Sequence, residues 1–68
     1  MDFLEFTKQL VGKSPEEAQK LCQDNGLDFL QVPSVPQYLQ DVLDKKIQRN
    51  PNRIIVEGNT KIVAVGVG

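Results

Sequence analysis

The sequence predicts an α+β domain in which a small sheet of about three strands packs against a capped helix. Three features support this class: a helix-capping sequence before residues 15–25, a short apolar run at residues 27–32, and two Ile/Val-rich runs at residues 53–57 and 61–65. Because the chain has 68 residues, we expect one domain, residues 1–68, with a small core and no deep cleft.

Residues 14–17 (SPEE) are the clearest helix start in the chain. The Ser14 hydroxyl can accept a hydrogen bond from the Glu17 amide, and Glu17 can reach back to the Ser14 amide, which is a capping box. Proline is favourable at the first helical position, since an N–H there has no partner in the helix. Gly26 is expected to follow the last turn, so the predicted helix spans residues 15–25. Its buried face would consist of Ala18, Leu21 and Cys22.

The two Ile/Val-rich runs are predicted to form a hairpin around Gly58-Asn59, because these two residues can take the positive φ values of a tight turn. The predicted register places Glu57 opposite Thr60. Ile55 then faces Ile62, and the adjacent pair is also apolar. Apolar side chains would therefore lie on both faces of the hairpin, and the rest of the chain has to cover at least one face.

Residues 2–11 predict a short amphipathic helix that ends at Gly12. Its apolar residues Phe3, Phe6 and Leu10 have i, i+3, i+7 spacing, which places them on one face. We interpret this aromatic face as part of the core, with a contact surface as the alternative.

The segment at residues 33–52 connects the predicted strand at residues 27–32 to the hairpin. Leu39, Val42 and Leu43 have i, i+3, i+4 spacing, which favours a helix over residues 36–46. An extended loop is the alternative. The turn-forming residues 50–52 (NPN) would then lead the chain into the hairpin.

The composition does not favour an enzyme. The chain contains no histidine and one cysteine, Cys22, so neither a Ser/His/Asp triad nor an ordinary zinc site can be assembled. Residues 12–14 (GKS) resemble the end of a phosphate-binding loop, but the upstream glycine is replaced by Thr7. We expect no catalytic residues, no metal and no cofactor.

Charge and hydropathy limit the partners further. The net charge is −1 and the basic residues are scattered, which does not favour nucleic-acid binding. No apolar run approaches the length of about 20 residues that a membrane span needs, and the N-terminal residues do not resemble a signal peptide. With a single cysteine, a reduced cytoplasmic location is the expectation. The remaining interpretation is a protein that acts by binding another protein. The sequence does not define the oligomeric state.

Four segments, taken in order, resemble the potato inhibitor I family of serine protease inhibitors, and one of them also resembles a related bacterial and fungal inhibitor family. They are residues 10–18 (LVGKSPEEA) before the main helix, residues 27–33 as the first strand and its following proline, residues 49–56 (RNPNRIIV), and residues 61–68 with the ending VG. The resemblance implies that the first two strands run parallel.

The resemblance also implies a mechanism and site residues. In that family an extended loop between the strands binds a protease, and arginines on the next strand hold the loop from beneath. By position, Lys46 and Ile47 would form the scissile pair, which suits a trypsin-like protease, and Arg49 and Arg53 would be the loop-bracing residues. Such a preorganised loop loses little entropy on binding.

Two functions therefore stay open. The first is inhibition of a trypsin-like protease through residues 33–48. The second is a non-inhibitory interaction module, such as a small viral or bacterial effector, that binds another protein through a helical segment at residues 36–47 or through the face of Phe3 and Phe6. The connection is longer than the family's loop and has helical spacing, which is the basis of this alternative. The candidate partner-binding residues in either case are Tyr38, Lys45, Lys46 and Ile47.

Overall fold

The computed structural model describes residues 2–68, which form three helices and three strands. In chain order these elements are α1 (Phe3–Leu10), α2 (Pro15–Asp24), β1 (Asp28–Val32), α3 (Val35–Leu43), β2 (Arg53–Glu57) and β3 (Ala64–Val67). The predicted α+β class, the three-stranded sheet and the helix in the long connection are confirmed. No helix in the described part of the chain is long and apolar enough to cross a membrane.

The sheet is mixed, with strand order β1-β2-β3. Strands β1 and β2 run parallel, with Phe29 opposite Ile54. Strands β2 and β3 run antiparallel, with Val56 opposite Val65. The central strand β2 is buried on both faces, since Ile54, Ile55 and Val56 are all inaccessible to solvent. Such a strand reads as a continuous apolar run because neither face contacts water.

Two apolar cores lie on opposite faces of the sheet, as the alternation of side chains along β2 requires. The first core consists of Phe6, Leu10, Ala18, Cys22, Ile54, Val56 and Ile62, and it lies under α1 and α2. The second core consists of Val32, Val35, Tyr38 and Ile55, and it lies under α3. The aromatic face of α1 is divided: Phe6 is buried in the first core, whereas Phe3 is partly exposed.

Both ends of α2 follow the sequence signals. The Ser14 hydroxyl oxygen accepts the Glu17 amide hydrogen bond at 3.3 Å. The reciprocal contact differs from the expectation, because the Glu17 carboxylate accepts from the Ser14 hydroxyl rather than from its amide. At the other end Gly26 has φ of +69°, and the Leu27 N–H donates to the Cys22 carbonyl at 2.8 Å. This is a Schellman ending, in which glycine takes the left-handed position without steric cost.

The predicted hairpin register is wrong. Strand β3 begins at Ala64 rather than at residue 61, and Ile55 faces Gly66 rather than Ile62. Ile62 lies in the connection instead, where its N–H donates to the Lys13 carbonyl at 2.9 Å and its carbonyl accepts from the Gly12 N–H at 2.8 Å. These bonds to the α1–α2 turn bury the Ile62 side chain in the first core and displace the start of the strand.

Candidate functional site

Helix α3 begins on two side-chain caps. The Ser34 hydroxyl accepts the Gln37 N–H at 3.3 Å, and the Glu57 carboxylate accepts the Val35 N–H at 2.9 Å. Free N–H groups at a helix start need such acceptors, and an acidic side chain also suits the positive end of the helix dipole. Because Glu57 lies at the end of β2, this bond fixes the start of α3 against the central strand.

The inner face of α3 packs closely on the sheet. Val35 and Tyr38 are buried in the second core. A side chain at Gly66 on β3 would bring its Cβ to 3.1 Å from a Val35 methyl group, so the glycine permits the close approach of helix and strand. The orientation of α3 is therefore set by its contacts with β2 and β3.

Tyr38 and Arg53, two of the residues singled out in the sequence, contact each other beneath α3. Tyr38 is only 7% exposed, and its hydroxyl oxygen accepts a hydrogen bond from the Arg53 guanidinium. Tyr38 therefore belongs to the core rather than to the surface where a partner would bind. Arg53 does reach back to the connecting segment, but it holds a helix there and not an extended loop.

The end of α3 is a second Schellman ending. The Lys45 N–H donates to the Val42 carbonyl at 3.1 Å, and the Lys46 N–H donates to the Asp41 carbonyl at 2.9 Å. Lys45 occupies the left-handed position with φ of +62°. The predicted helix over residues 36–46 is therefore longer than the observed Val35–Leu43, because the chain turns at Lys45.

The predicted scissile pair lies in this turn. Lys46 is exposed, whereas Ile47 is half-buried against the second core. Both residues direct their N–H groups at the Asp41 carbonyl, at 2.9 and 3.4 Å. The pair is thus folded back on the helix end and is not part of an extended exposed strand.

An open apolar groove lies between one flank of α3 and the end of β3. Its volume is about 270 Å³, and we call it the α3–β3 groove. Its lining residues are Leu39, Val42, Leu43, Arg49, Val67 and Gly68. Leu43 is 75% exposed and Val67 is 38% exposed. Leu43 and Val67 are thus two exposed apolar side chains that line the same groove.

Basic residues are concentrated in the segment that runs from the end of α3 to the start of β2. The segment at residues 45–53 contains Lys45, Lys46, Arg49 and Arg53, which are half of the eight basic residues, and none of the nine acidic residues. Arg49 is exposed and lines the groove. The α3–β3 groove therefore combines an apolar floor with a positively charged edge, although the whole chain has a net charge of −1.

A larger and shallower depression lies at the end of β1, where about 560 Å³ is bounded by Gln31, Val32, Pro33, Gly58 and Asn59. No titratable side chain lines it. Groups of Cys, Asp and Glu that could hold a metal ion are absent from residues 2–68. Burial raises the pKa of the Cys22 thiol, which keeps it protonated and weakly nucleophilic at neutral pH.

The structure assigns the described chain to the class of small α+β domains with a mixed three-stranded sheet. No family model, no curated protein and no solved structure matches this chain. The relationship to potato inhibitor I therefore stays a prediction from sequence motifs, and the function has to be argued from the chain's own surface.

Sequence reasoning identified part of this surface and missed part of it. Arg49 lines the groove, although the resemblance gives it a bracing role. Lys45 and Lys46 are exposed in the turn after α3. Leu43 belongs to the apolar spacing that predicts the helix, but it lies about 140° around the helix from the buried Tyr38, at the edge of the apolar stripe.

Proposed function

We propose that this chain is a protein-binding module that receives an apolar segment of another protein in the α3–β3 groove. The observation that carries the proposal is the grouping of the exposed side chains of Leu43 and Val67 in one apolar groove. Full burial of a leucine side chain contributes about 1.5–3 kcal/mol. A groove of this size supports a small, reversible interface of the kind found in transient complexes.

The contacts that hold α3 in place favour a binding role for the groove. Helix α3 is fixed at its start by Glu57, beneath by Arg53, and at its end by the turn at Lys45. A surface that is already ordered loses little conformational entropy when a partner binds. Arg49 on the rim adds a residue type that often contributes strongly to binding energy.

The folded turn at Lys46 and Ile47 supports binding over protease inhibition. A protease cleft accepts its ligand as an extended strand. Insertion of this pair would require breaking the bonds to the Asp41 carbonyl and exposing Ile47. We therefore expect trypsin to be uninhibited by a stoichiometric amount of the protein. Tight inhibition with slow cleavage confined to the Lys46–Ile47 bond would instead establish the inhibitor function.

The proposed function is tested by selecting binders from an unbiased displayed peptide library on the immobilised protein. The selected peptides are then measured against two variants, Leu43→Asp in the groove and Leu4→Asp on α1, where Leu4 is 63% exposed. We expect Leu43→Asp to abolish binding and Leu4→Asp to leave it unchanged. A selection that yields no peptide sensitive to Leu43→Asp would reject the groove as the binding site.

A further inference from the structure

The charge distribution around α3 is asymmetric between its two flanks. On one flank lies the α3–β3 groove, which Arg49 lines. Lys45 and Lys46 precede Arg49 in the chain and are exposed in the turn after α3. On the other flank, Asp41 lines a separate shallow pocket together with Gln37. Residues separated by four positions share a helix face, which explains why these two residues lie together.

The acidic side chains at the C-terminal end of α3 accept hydrogen bonds from glutamine side chains of the same helix. The Asp41 carboxylate accepts a hydrogen bond from the Gln37 side-chain amide at 3.0 Å, and the Asp44 carboxylate accepts one from the Gln40 side-chain amide at 3.1 Å. Neither carboxylate lines the groove. Arg49 is therefore the charged side chain that lines the groove, and it would disfavour an apolar ligand with positive flanks.

Resting on the proposed function, we propose that the occupant of the groove is an acidic amphipathic helix of another protein. The apolar stripe of such a helix would contact Leu39, Val42, Leu43 and Val67, and its carboxylates would face Arg49. Leu39 and Leu43 form a ridge with i, i+4 spacing, and ridges of this kind pack into the grooves of a second helix. Charge complementarity at the rim adds specificity and speeds association.

The inference is tested with three labelled peptides and fluorescence anisotropy. The first is an amphipathic helical peptide of about 15 residues, with leucines at i, i+3, i+4 and i+7 and glutamates on both flanks. The second has lysine in place of each glutamate, and the third has serine in place of each leucine. We expect the acidic peptide to bind at least about tenfold more tightly than the basic peptide. The serine peptide should not bind, since charge alone does not fill the groove.

Two charge-reversal variants provide the matched comparison. Arg49→Glu should lower or reverse the preference for the acidic peptide. Lys20→Glu, on the exposed face of α2, makes the same charge change away from the groove and should leave this preference unchanged. Raising the salt concentration should weaken binding of the acidic peptide, because the rim charges are exposed and screened.

The inference is overturned if the acidic peptide does not bind, if both charged peptides bind equally, or if Arg49→Glu leaves the preference unchanged. It is also overturned if Leu43→Asp dissociates a self-associated form of the protein, since the occupant would then be a second copy of this chain. A further result distinguishes this inference from the proposed function. Library peptides that need Leu43 for binding but carry no acidic residues would support the proposed function and contradict an acidic helix as the occupant of the groove.

Discussion

Lys45 and Gly26 occupy the same position at the ends of two helices, each in a Schellman ending and each with positive φ. Glycine takes this conformation freely, whereas a residue with a Cβ is penalised by about 1–2 kcal/mol. The sequence marked the end of α2 through Gly26 and gave no such mark for α3. The predicted helix was therefore too long by three residues at this end, 46 against the observed Leu43.

The first prediction is that Lys45→Gly stabilises the protein by about 0.5–1 kcal/mol. The free energy gained by removing the left-handed strain exceeds the cost of the added entropy of the unfolded chain, which is about 0.4–1 kcal/mol. Gly26→Ala, the reverse change at the matching position, should destabilise by a similar amount. Urea denaturation of both variants measures these values, and a destabilising Lys45→Gly would contradict the assigned backbone conformation.

The second prediction concerns Gly58, where the turn predicted from the sequence is replaced by a wider connection. Gly58 has φ of +129°, and an added Cβ would lie 2.0 Å from the Lys61 carbonyl oxygen. We expect Gly58→Ala to destabilise by more than about 3 kcal/mol, because strain and a backbone collision combine. Gly12→Ala is the control: its φ is +88° but no atom lies within 4 Å of the added Cβ, so only about 1–2 kcal/mol should be lost.

At the scale of elements, α3 is held to β2 by side-chain bonds that join distant parts of the chain. The Arg53 guanidinium donates to the Tyr38 hydroxyl, and the Val35 N–H donates to the Glu57 carboxylate. The helical spacing of residues 36–46 was enough to predict that a helix exists. It could not predict these contacts, because they depend on which sheet face the helix covers.

The third prediction is a coupling between Tyr38 and Arg53. Tyr38→Phe removes the acceptor and Arg53→Met removes the donor while retaining an apolar side chain. We expect a double-mutant cycle to give a coupling of about 1.5–3 kcal/mol, as for hydrogen bonds to a charged group. Arg49→Met, on the exposed rim, should change the free energy of unfolding by less than about 0.5 kcal/mol. Additive effects of the two cycle mutations would show that the bond contributes nothing to folding.

The hairpin register shows a second limit of sequence reasoning. The local signals were two β-branched runs and Gly58-Asn59, which favour the shortest connection. The observed register depends on Ile62 bonding to the turn at Gly12 and Lys13, more than forty residues earlier in the chain. The shift from Ile62 to Gly66 opposite Ile55 is an even number of residues, so the alternation of the faces is preserved.

At the scale of the whole molecule, the two cores share the central strand and one of them encloses the thiol of Cys22. Burial raises the pKa of Cys22 above its ordinary value of about 8.5. The thiol ionises more readily in the unfolded chain than in the folded one. Its contribution to stability is therefore complete below about pH 8.5 and is lost as the pH rises from there through the folded-state pKa.

The fourth prediction follows from this loss of stability with rising pH. Between about pH 8 and 10 the free energy of unfolding of the wild-type protein should fall faster than that of Cys22→Ala, by at most about 1.4 kcal/mol per pH unit. Because the comparison is a difference, groups that titrate in both proteins cancel. Parallel pH profiles of the two proteins would show that the thiol is not protected from solvent in the folded state.

The distribution of charge also belongs to the whole molecule. In the sequence the basic residues are scattered except for a short cluster at residues 45–53, which is too short to predict a nucleic-acid partner. In the fold, Arg49 of this cluster lies on the rim of an apolar groove that α3 forms with the distant end of β3. Of the residues predicted to bind a partner, Lys45 and Lys46 are exposed in the turn after α3. Tyr38 lies in the core, and Ile47 is half-buried against it.

The most direct test of the proposed binding surface is an NMR titration of the labelled protein with a peptide obtained from the library selection. We predict that the backbone amide shifts cluster at the α3–β3 groove, around Leu39, Leu43, Arg49 and Gly68. Shifts clustered instead on the free edge of β1 near Gln31, or on α1 near Leu4, would contradict the proposal and assign binding to a different face.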